Sequence, residues 1–330
     1  MKVTVRKLAE MAGVSPATVS RYLNASESVS LALADQIDKA LITLGGTPAV
    51  RQSQKRMVLV LLTHLRFDFY SQTLAELLSQ EPEGNWALAL LRYDPCHPEL
   101  VHNFVNRNHP AGVIYFEEEM DQQILSYLQK CGLRTVMCGG TAVDRQSDRV
   151  HVNDIAAAYE GTRYLLDLGH RSILFLSDDE RKIGAGFQRV TGSRRAMEEQ
   201  GLVLSEEQVL RCGVTFGDGY DAMRRALSEG QRFTAVFAFS DELALGAMAA
   251  LYDEGIRVPK DVSVLGYDDL PCATRVRPAL TTVHQPIDTI VRKSLELFSQ
   301  SPQAIHTEIL LPHSFVERQS CWRLNGDAAE

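Results

Sequence analysis

The sequence predicts an α/β protein in which a small helical module, residues 1–46, precedes a large body of strands and helices. Within the module, apolar positions recur with the spacing of short amphipathic helices. From residue 58 onward, short apolar runs bounded by turn residues alternate with helix-length segments, a pattern typical of parallel α/β layers. With 330 residues, 45% of them apolar, the chain is long enough for two or three domains.

Three short helices are predicted in the module. The first covers residues 6–11 and ends at Gly13, with an apolar stripe made of Val5, Leu8, Ala9 and Ala12. The second begins at Pro16 after a tight turn, because Ser15 suits the N-cap and proline suits the first helical position. The third follows Ser30 and ends at two glycines, with an apolar stripe made of Leu33, Ile37, Leu41 and Leu44.

The second helix is predicted to turn Val19 and Leu23 inward, together with Val14 of the preceding turn. Its outward face then carries small residues, one long cation and one aromatic ring, namely Pro16, Ala17, Thr18, Ser20, Arg21 and Tyr22. Such a face fits the major groove of DNA. The spacing alone is equally compatible with a helical bundle that binds no DNA, since small bundles with a glycine turn are common.

Charge is distributed unevenly along the chain. Residues 1–56 carry eight basic and four acidic side chains, hence +4, so the remainder carries −12 of the total of −8. A basic module on an acidic body suits a protein that contacts phosphate with one end only.

Composition and motifs exclude several classes of protein. The first residues lack the apolar core of a secretory signal, and no stretch approaches about 18 uninterrupted apolar residues, so we expect a soluble cytoplasmic protein. Six cysteines without CxxC pairing are expected to stay reduced. The spacing of His97, His102 and His109 is wrong for zinc. We expect no metal and no cofactor, and enzyme activity is the weakest interpretation, because no nucleophile or phosphate-binding motif is present.

The string VTVRKLAEMAGVSPATVSRYLN, followed by VS and an amphipathic helix, resembles the headpiece of the lactose/galactose repressor (LacI-GalR) family of bacterial transcription regulators. This resemblance implies that Pro16, Ala17 and Arg21 face base edges, with Arg21 able to bind a guanine through two hydrogen bonds and Tyr22 adding to specificity. It also implies that polar side chains hydrogen-bond phosphates, namely Thr4, Ser15, Thr18, Ser20, Asn24 and Ser30.

The linker, residues 47–57, departs from the family pattern. Relatives have a hinge helix with a leucine that enters the minor groove, whereas this linker is shorter by roughly five residues and lacks that leucine. Whether a hinge helix forms is left open. The candidate hinge residues are Val50 as an apolar contact and Arg51, Lys55 and Arg56 as phosphate contacts.

Seven strands are predicted in the body, residues 58–330, at residues 58–62, 87–91, 112–116, 135–138, 172–177, 235–240 and 262–267. The resemblance extends to about Arg318 and implies two lobes joined by three crossovers, similar to periplasmic binding proteins. Lobe 1 would comprise about residues 58–154 and 286–311, and lobe 2 about residues 155–285 and 312–330.

Ligands of parallel sheets bind beyond the carboxyl ends of the strands. After the first strand come Phe69, Tyr70 and Ser71, where spacing alone favours aromatic residues that cap the core, whereas the resemblance assigns these residues to the effector site. The resemblance assigns effector contacts to Arg189 of an R-x-x-G-x-x-A pattern and, further along, to Val214, Ser240, Asp268 and Gln285. Relatives often have an aromatic residue at 214, Asn-Asp at 240–241 and Asp-Asn at 153–154, so the ligand stays unnamed.

The sequence therefore predicts a repressor of a catabolic operon that binds near-palindromic operator DNA as a homodimer and is controlled by a small sugar-like effector. Alternatives are a cytoplasmic sugar-binding protein without a DNA role and an activator or corepressor-dependent regulator. The basic module argues against the first alternative, and the sequence does not decide the second.

Overall fold

The computed structural model describes residues 4–24, 29, 31–44, 56–62, 67–80, 86–116, 121–139, 147–178, 184–299 and 306–324. The chain divides into two compact units, Met1–Arg56 and Met57–Glu330. Each unit has apolar core residues of its own.

The first unit contains three helices, α1 (Val5–Ala12), α2 (Pro16–Asn24) and α3 (Leu31–Thr43), so the three predicted helices are confirmed. The Thr4 side chain caps α1 by accepting a hydrogen bond from the backbone N–H of Lys7. Gly13 ends α1 at φ 66°, a conformation that glycine adopts without a steric penalty. The core of the unit is built from Leu8, Ala9, Ala12, Val19, Tyr22, Ala34, Ile37, Ala40 and Leu41.

The inward faces of α2 and α3 differ from the prediction. Tyr22 is only 1% exposed, and its hydroxyl donates a hydrogen bond to Asp38, whereas Leu23 is 47% exposed. Burial of the larger ring is possible because Asp38 on α3 satisfies its hydroxyl group. On α3, Ala34 is buried and Leu33 is exposed. The prediction that Tyr22 faces outward and Leu23 inward is therefore wrong.

In chain order, the following elements are β1 (Arg56–Leu62), α4 (Asp68–Ser79), β2 (Trp86–Arg92), α5 (Glu99–Asn108), β3 (Gly112–Tyr115), α6 (Gln122–Lys130), β4 (Arg134–Cys138), β5 (Asp148–Val152), α7 (Asp154–Asp167), β6 (Ile173–Ser177), α8 (Ala185–Glu198), β7 (Val209–Arg211), α9 (Phe216–Ser228), β8 (Ala235–Ala238), α10 (Asp241–Asp253), β9 (Ser263–Asp268), α11 (Cys272–Arg275), β10 (Thr281–His284), α12 (Ile287–Ser299), β11 (Glu308–Leu311) and β12 (Ser314–Val316). Arg56 and Met57, assigned to the linker from sequence, belong to β1.

The strands form two six-stranded sheets, which define two lobes. Lobe 1 has the strand order β11-β5-β4-β3-β1-β2, and lobe 2 has the order β12-β10-β9-β8-β6-β7. Parallel pairs join β1, β3, β4, β5 and β11 in lobe 1 and β7, β6, β8, β9 and β10 in lobe 2. Strand β12 joins antiparallel to β10. The chain passes from one lobe to the other after β5, after β10 and after β11.

Within the described residues, all seven predicted strands are confirmed and five further strands are present that were not predicted. Six of the predicted strands are largely apolar and buried, whereas β2 lies at a sheet edge and only its first residue, Trp86, is buried. The unpredicted ones are β5, β7, β10, β11 and β12, which are three to five residues long. Three of them, β7, β11 and β12, lie at sheet edges, where an apolar run is not required.

Helices α7 and α8 pack so closely that a β-carbon at Gly192 would lie 2.1 Å from the carbonyl oxygen of Ile155. We therefore expect Gly192→Ala to lower the free energy of unfolding by about 1–3 kcal/mol, even though alanine is the better helix former. The matched control is Gly217→Ala in the exposed first turn of α9, where the nearest atom would lie at 3.8 Å. Urea denaturation measures both variants, and an unchanged midpoint for Gly192→Ala would contradict this close packing.

Candidate functional site

The first candidate site is the exposed face of α2 in the first unit. Ser15 starts the helix, because its Oγ accepts a hydrogen bond from the backbone N–H of Thr18 at 3.1 Å and lies 2.8 Å from the Thr18 hydroxyl. Within α2 itself, four predicted DNA contacts are exposed, namely Pro16, Ala17, Ser20 and Arg21. A short helix with one exposed guanidinium and otherwise small residues can approach the floor of a major groove.

Other predicted DNA contacts are placed differently or are not described. Tyr22 is part of the core and does not lie on the exposed face, so its assignment as a base contact is corrected. The Thr4 and Ser15 hydroxyls cap helices and remain exposed. Asn24 is the last residue of α2, and nothing is described of its side chain or of the side chain of Arg56. Four further predicted residues lie outside the described part, namely Ser30, Val50, Arg51 and Lys55.

The second candidate site is a narrow cleft of about 20 Å³ in the second unit, at the carboxyl ends of the strands of lobe 2. Phe67 of lobe 1 contributes one wall, and the residues that line the cleft from lobe 2 include Asp178, Arg189, Val214, Phe239 and Ser240. Three of these were predicted effector contacts, namely Arg189, Val214 and Ser240. The structure therefore brings together residues that are 51 positions apart in the chain.

Arg189 on α8 is almost completely buried and is held from three sides. Its Nε donates to Asp154 Oδ1 at 2.7 Å, its Nη1 donates to the carbonyl oxygen of Phe239, and its guanidinium carbon lies 3.6 Å from the ring centre of Tyr267. The Tyr267 hydroxyl donates to the same Asp154 oxygen at 2.8 Å. Burial by itself would lower the pKa of Arg189, but the combined attraction to Asp154, Tyr267 and Asp268 outweighs it and raises the pKa. The guanidinium thus stays charged and fixed in orientation.

Asp268 ends β9 next to this group and is 1% exposed. Its Oδ1 accepts a hydrogen bond from Gln285 Nε2 at 2.7 Å, while its buried Oδ2 has no hydrogen-bond partner among the described residues. Its backbone φ is 112°, a conformation that L residues rarely adopt. Burial raises the pKa of Asp268 to about 7. The predicted pair Asp268 and Gln285 therefore forms one polar group with an oxygen that a ligand can satisfy.

Ser240 has a second role as the N-cap of α10, since its Oγ accepts from the backbone N–H of Leu243 at 3.2 Å. The next residue, Asp241, is fully buried and accepts hydrogen bonds from the Leu270 backbone at 2.7 Å and from the Thr282 hydroxyl at 2.6 Å. These bonds tie α10 to the turn that follows Asp268. Asp241 therefore acts as a positioning residue for Asp268.

The aromatic residues after the first strand are arranged differently from the prediction. Phe69 and Tyr70 belong to the core of lobe 1, where Phe69 packs against Gly139 and Tyr70 lies parallel to Phe116 at 6.2 Å. Their assignment to the cleft is corrected, because both side chains in the first turn of α4 point toward the sheet. Phe67, just before α4, lines the cleft instead. Ser71 is half-buried in α4 and is not among the lining residues.

A second acidic group, Glu242, lies in the first turn of α10, between the cleft-lining residues Ser240 and Leu243. Burial, together with the nearby Asp68 of lobe 1, raises the pKa of Glu242 to about 7, and its Oε2 is buried without a hydrogen-bond partner among the described residues. Carboxyl groups from both lobes thus lie close together. Sequence reasoning missed Glu242, as well as Asp154, Phe67 and Asp178. The only signal for them was their position beside strand ends or helix starts.

These carboxyl groups should make the empty protein less stable as pH rises. Asp268 and Glu242 keep their protons up to about pH 7 in the native state but ionise near pH 4 when unfolded, so the free energy of unfolding falls across that interval. Above about pH 7 this loss is complete. We expect the double variant Asp268→Asn and Glu242→Gln to gain melting temperature relative to the wild type as pH is raised from 4 to 8. If the melting temperatures of the two proteins change by the same amount between pH 4 and pH 8, the raised pKa values are contradicted.

Comparisons with known proteins match both units. Residues 4–48 match the model described as "Bacterial regulatory proteins, lacI family", and residues 162–321 match "Periplasmic binding protein-like domain". The ribose operon repressor of Escherichia coli strain K12 is 30% identical over 307 residues, covering 89% of this chain and 91% of the relative. Catabolite control protein A of Priestia megaterium is 26% identical over 330 residues, covering 97% of this chain and 99% of the relative.

Solved structures agree over similar lengths. The transcriptional regulator CelR in complex with cellobiose superposes with a TM-score of 0.74 at 27% identity, covering 97% of this chain and 100% of that one. A LacI family regulator from Enterococcus faecium with bound ribose has a TM-score of 0.72 at 25% identity, covering 82% of this chain and 100% of that one.

A helix-turn-helix unit with an exposed arginine, followed by a two-lobed body with a polar cleft, defines a DNA-binding transcription regulator with an effector domain. The chain belongs to the LacI family of bacterial regulatory proteins. Among the described helices, none is both long and apolar enough to cross a lipid bilayer.

Proposed function

We propose that this protein represses a catabolic operon by binding near-palindromic operator DNA through α2, and that a small sugar-like effector in the cleft changes its operator affinity. The observation that carries this proposal is the convergence of Arg189, Asp268 and Gln285 beside strand ends, in a chain that begins with a helix-turn-helix. A forked donor beside a fixed acceptor can orient neighbouring hydroxyl groups. The relatives support a sugar, since one is a ribose operon repressor and two structures hold cellobiose and ribose.

Effector binding would change operator affinity through the relative orientation of the two lobes. A ligand that contacts Phe67 in lobe 1 and Arg189 in lobe 2 favours the relative orientation of the lobes in which both contacts exist. The three chain crossings allow the lobes to rotate about one another. Coupling free energies are typically about 1–3 kcal/mol, so operator affinity would change about 5- to 150-fold. The sign of the change distinguishes an inducer from a corepressor.

The experiment combines a ligand screen with recovery of bound DNA. Fragments of bacterial genomic DNA that the protein retains are sequenced, and a two-fold symmetric motif is expected. A thermal-shift panel of ribose, cellobiose, glucose, nucleosides and sugar phosphates identifies ligands that bind the folded state. Operator affinity is then measured with and without each hit. Failure to enrich a symmetric motif, or hits that leave operator affinity unchanged, would overturn the proposal.

The protein would bind its operator as a homodimer, because one short recognition helix reads only half of a symmetric site. Lobe 2 carries a suitable apolar surface, a groove of about 690 Å³ whose lining includes Phe216, Met248, Tyr252 and Val276. Tyr252 is 82% exposed and Phe216 is 47% exposed. Such an exposed apolar groove suits contact with a second copy of the chain.

Sedimentation velocity tests the homodimer. We expect the wild type to sediment as a dimer and Tyr252→Glu as a monomer, because a buried, unpaired carboxylate would oppose association. The matched control is Val203→Glu, at a site that is 83% exposed and outside the groove. A dimeric Tyr252→Glu variant would exclude this surface as the interface.

The protein acts in the cytoplasm, where operator DNA is found, and the proposed function requires no catalytic step, cofactor or metal.

A further inference from the structure

Most of the ionisable side chains described at and beside the cleft are acidic. Among the described residues that line it, Arg189 alone is cationic, and Asp178 lines the same wall. Asp268 and Glu242 lie nearby, and each of them carries a buried oxygen without a hydrogen-bond partner in the described structure. No three of the described carboxylate, histidine or cysteine side chains are arranged to hold a metal ion. A ligand that satisfies these oxygens of Asp268 and Glu242 therefore needs groups that donate hydrogen bonds.

Asp154 already compensates the charge of Arg189. The two side chains form an ion pair at 2.7 Å, and both are more than nine-tenths buried. With Nη1 donating to the Phe239 carbonyl, the recorded bonds use two of the five N–H donors of the guanidinium. The remaining donors can bind ligand oxygens, but the positive charge that would attract a phosphate is matched within the protein.

We propose that the cleft selects a carbohydrate without negative charge, and that Asp154 sets this selectivity by neutralising Arg189. This inference rests on the proposed function, since it names the ligand class of the same cleft. A sugar hydroxyl can donate to the open oxygens of Asp268 and Glu242 and accept from Arg189. A phosphate group has few protons to donate at neutral pH, and it would be repelled by Asp178 and by Asp268 and Glu242 as these two groups ionise around pH 7.

The substitution Asp154→Asn removes the negative charge at position 154 and keeps the size and shape of the side chain. Asparagine retains an oxygen that can accept from both Arg189 Nε and the Tyr267 hydroxyl, so the fold of lobe 2 should persist. The guanidinium then carries an uncompensated charge inside the cleft. We therefore expect the variant to acquire affinity for anions while it still accepts uncharged sugars.

The test compares anionic and uncharged probes on the full-length chain. Thermal shifts are recorded for inorganic phosphate against chloride at equal ionic strength, and for ribose and glucose against ribose 5-phosphate and glucose 6-phosphate. The wild type should gain no stability from phosphate or from either sugar phosphate beyond the chloride control. Asp154→Asn should bind at least one of these anions about tenfold more tightly than the wild type.

Asp178→Asn is the matched control, because it removes one negative charge from the cleft wall and leaves the Asp154–Arg189 pair intact. It should not acquire the anion binding of Asp154→Asn. Phosphate or sugar phosphate binding by the wild type would overturn the selectivity. A folded Asp154→Asn that gains no anion affinity, or an equal gain in Asp178→Asn, would overturn the role of Asp154.

A parallel measurement of operator binding by the wild type distinguishes a failure of the proposed function from a failure of the selectivity proposal. Absence of sequence-specific DNA binding would overturn the proposed function, whereas the anion measurements would still report on the cleft. A symmetric operator together with a sugar phosphate effector would overturn only this inference.

Discussion

Arg21→Ala should lose specific operator binding while the fold and the effector affinity persist. Arg21 is exposed on α2, and a guanidinium that binds guanine through two hydrogen bonds contributes about 1–3 kcal/mol of base discrimination. A dimer loses this contribution at both half-sites, which corresponds to about thirtyfold or more in affinity. Fluorescence anisotropy with an operator duplex and with a scrambled duplex, over a range of salt concentrations, measures the effect.

Arg21→Lys separates the charge of this side chain from its forked geometry. Lysine keeps the electrostatic attraction to phosphate but cannot reproduce the paired hydrogen bonds of arginine. We expect it to bind the scrambled duplex as the wild type does and to lose most of the preference for the operator. If Arg21→Ala binds the operator with wild-type affinity, α2 is not the helix that reads the bases through this residue.

Asp268→Asn should abolish the effector response without affecting operator binding in the absence of effector. A buried, charge-assisted hydrogen bond contributes about 1.5–3 kcal/mol, so the loss of the carboxylate should weaken effector binding about 10- to 150-fold. Asparagine suits the position, because among L residues it is one of the few that tolerate a positive φ. Isothermal titration calorimetry measures effector binding, and anisotropy measures the response of the operator complex.

The neighbouring residue supplies the control for this variant. Asp269 also has a positive φ, but its carboxylate is bound to Arg318 at 2.5 Å and to His284 at 2.9 Å. Asp269→Asn should therefore reduce stability and leave effector affinity unchanged. Equal losses of effector affinity in both variants would mean that the turn as a whole, and not the Asp268 carboxylate, determines binding.

The parts of the fold that sequence predicts are those with one dominant physical signal. An apolar run bounded by turn residues, such as residues 58–62 of β1, favours a buried strand of a parallel sheet, so β1 was predicted. Strand β5 (Asp148–Val152) was missed because two of its polar side chains are satisfied inside the protein. Asp148 pairs with Arg134 at 2.6 Å, and His151 is hydrogen-bonded to Glu308 at 3.0 Å.

The residues of the cleft, too, could be predicted only where they belong to a clear sequence signal. Arg189 and Asp268 could be proposed because each belongs to a recognisable motif beside a strand. Asp154 was not proposed as a ligand-site residue, although it holds Arg189 in place, because it follows the unpredicted strand β5. The correction at Tyr22 has a cause in helix geometry. Neighbouring residues of a helix differ by only about 100° in direction, so a large ring and an adjacent side chain can exchange places between core and surface.

The positive φ of Asp268 restricts how new ligand specificities can be obtained in this protein. At 112°, this backbone position disfavours β-branched and bulky residues whatever space surrounds them, and the buried Asp241 holds the turn that follows. Random mutagenesis at codon 268 should therefore return chiefly aspartate, asparagine and glycine among folded variants. A library intended to produce biosensors for other small molecules should leave this codon unchanged and diversify Val214 and Phe67, whose side chains line the cleft on ordinary backbone.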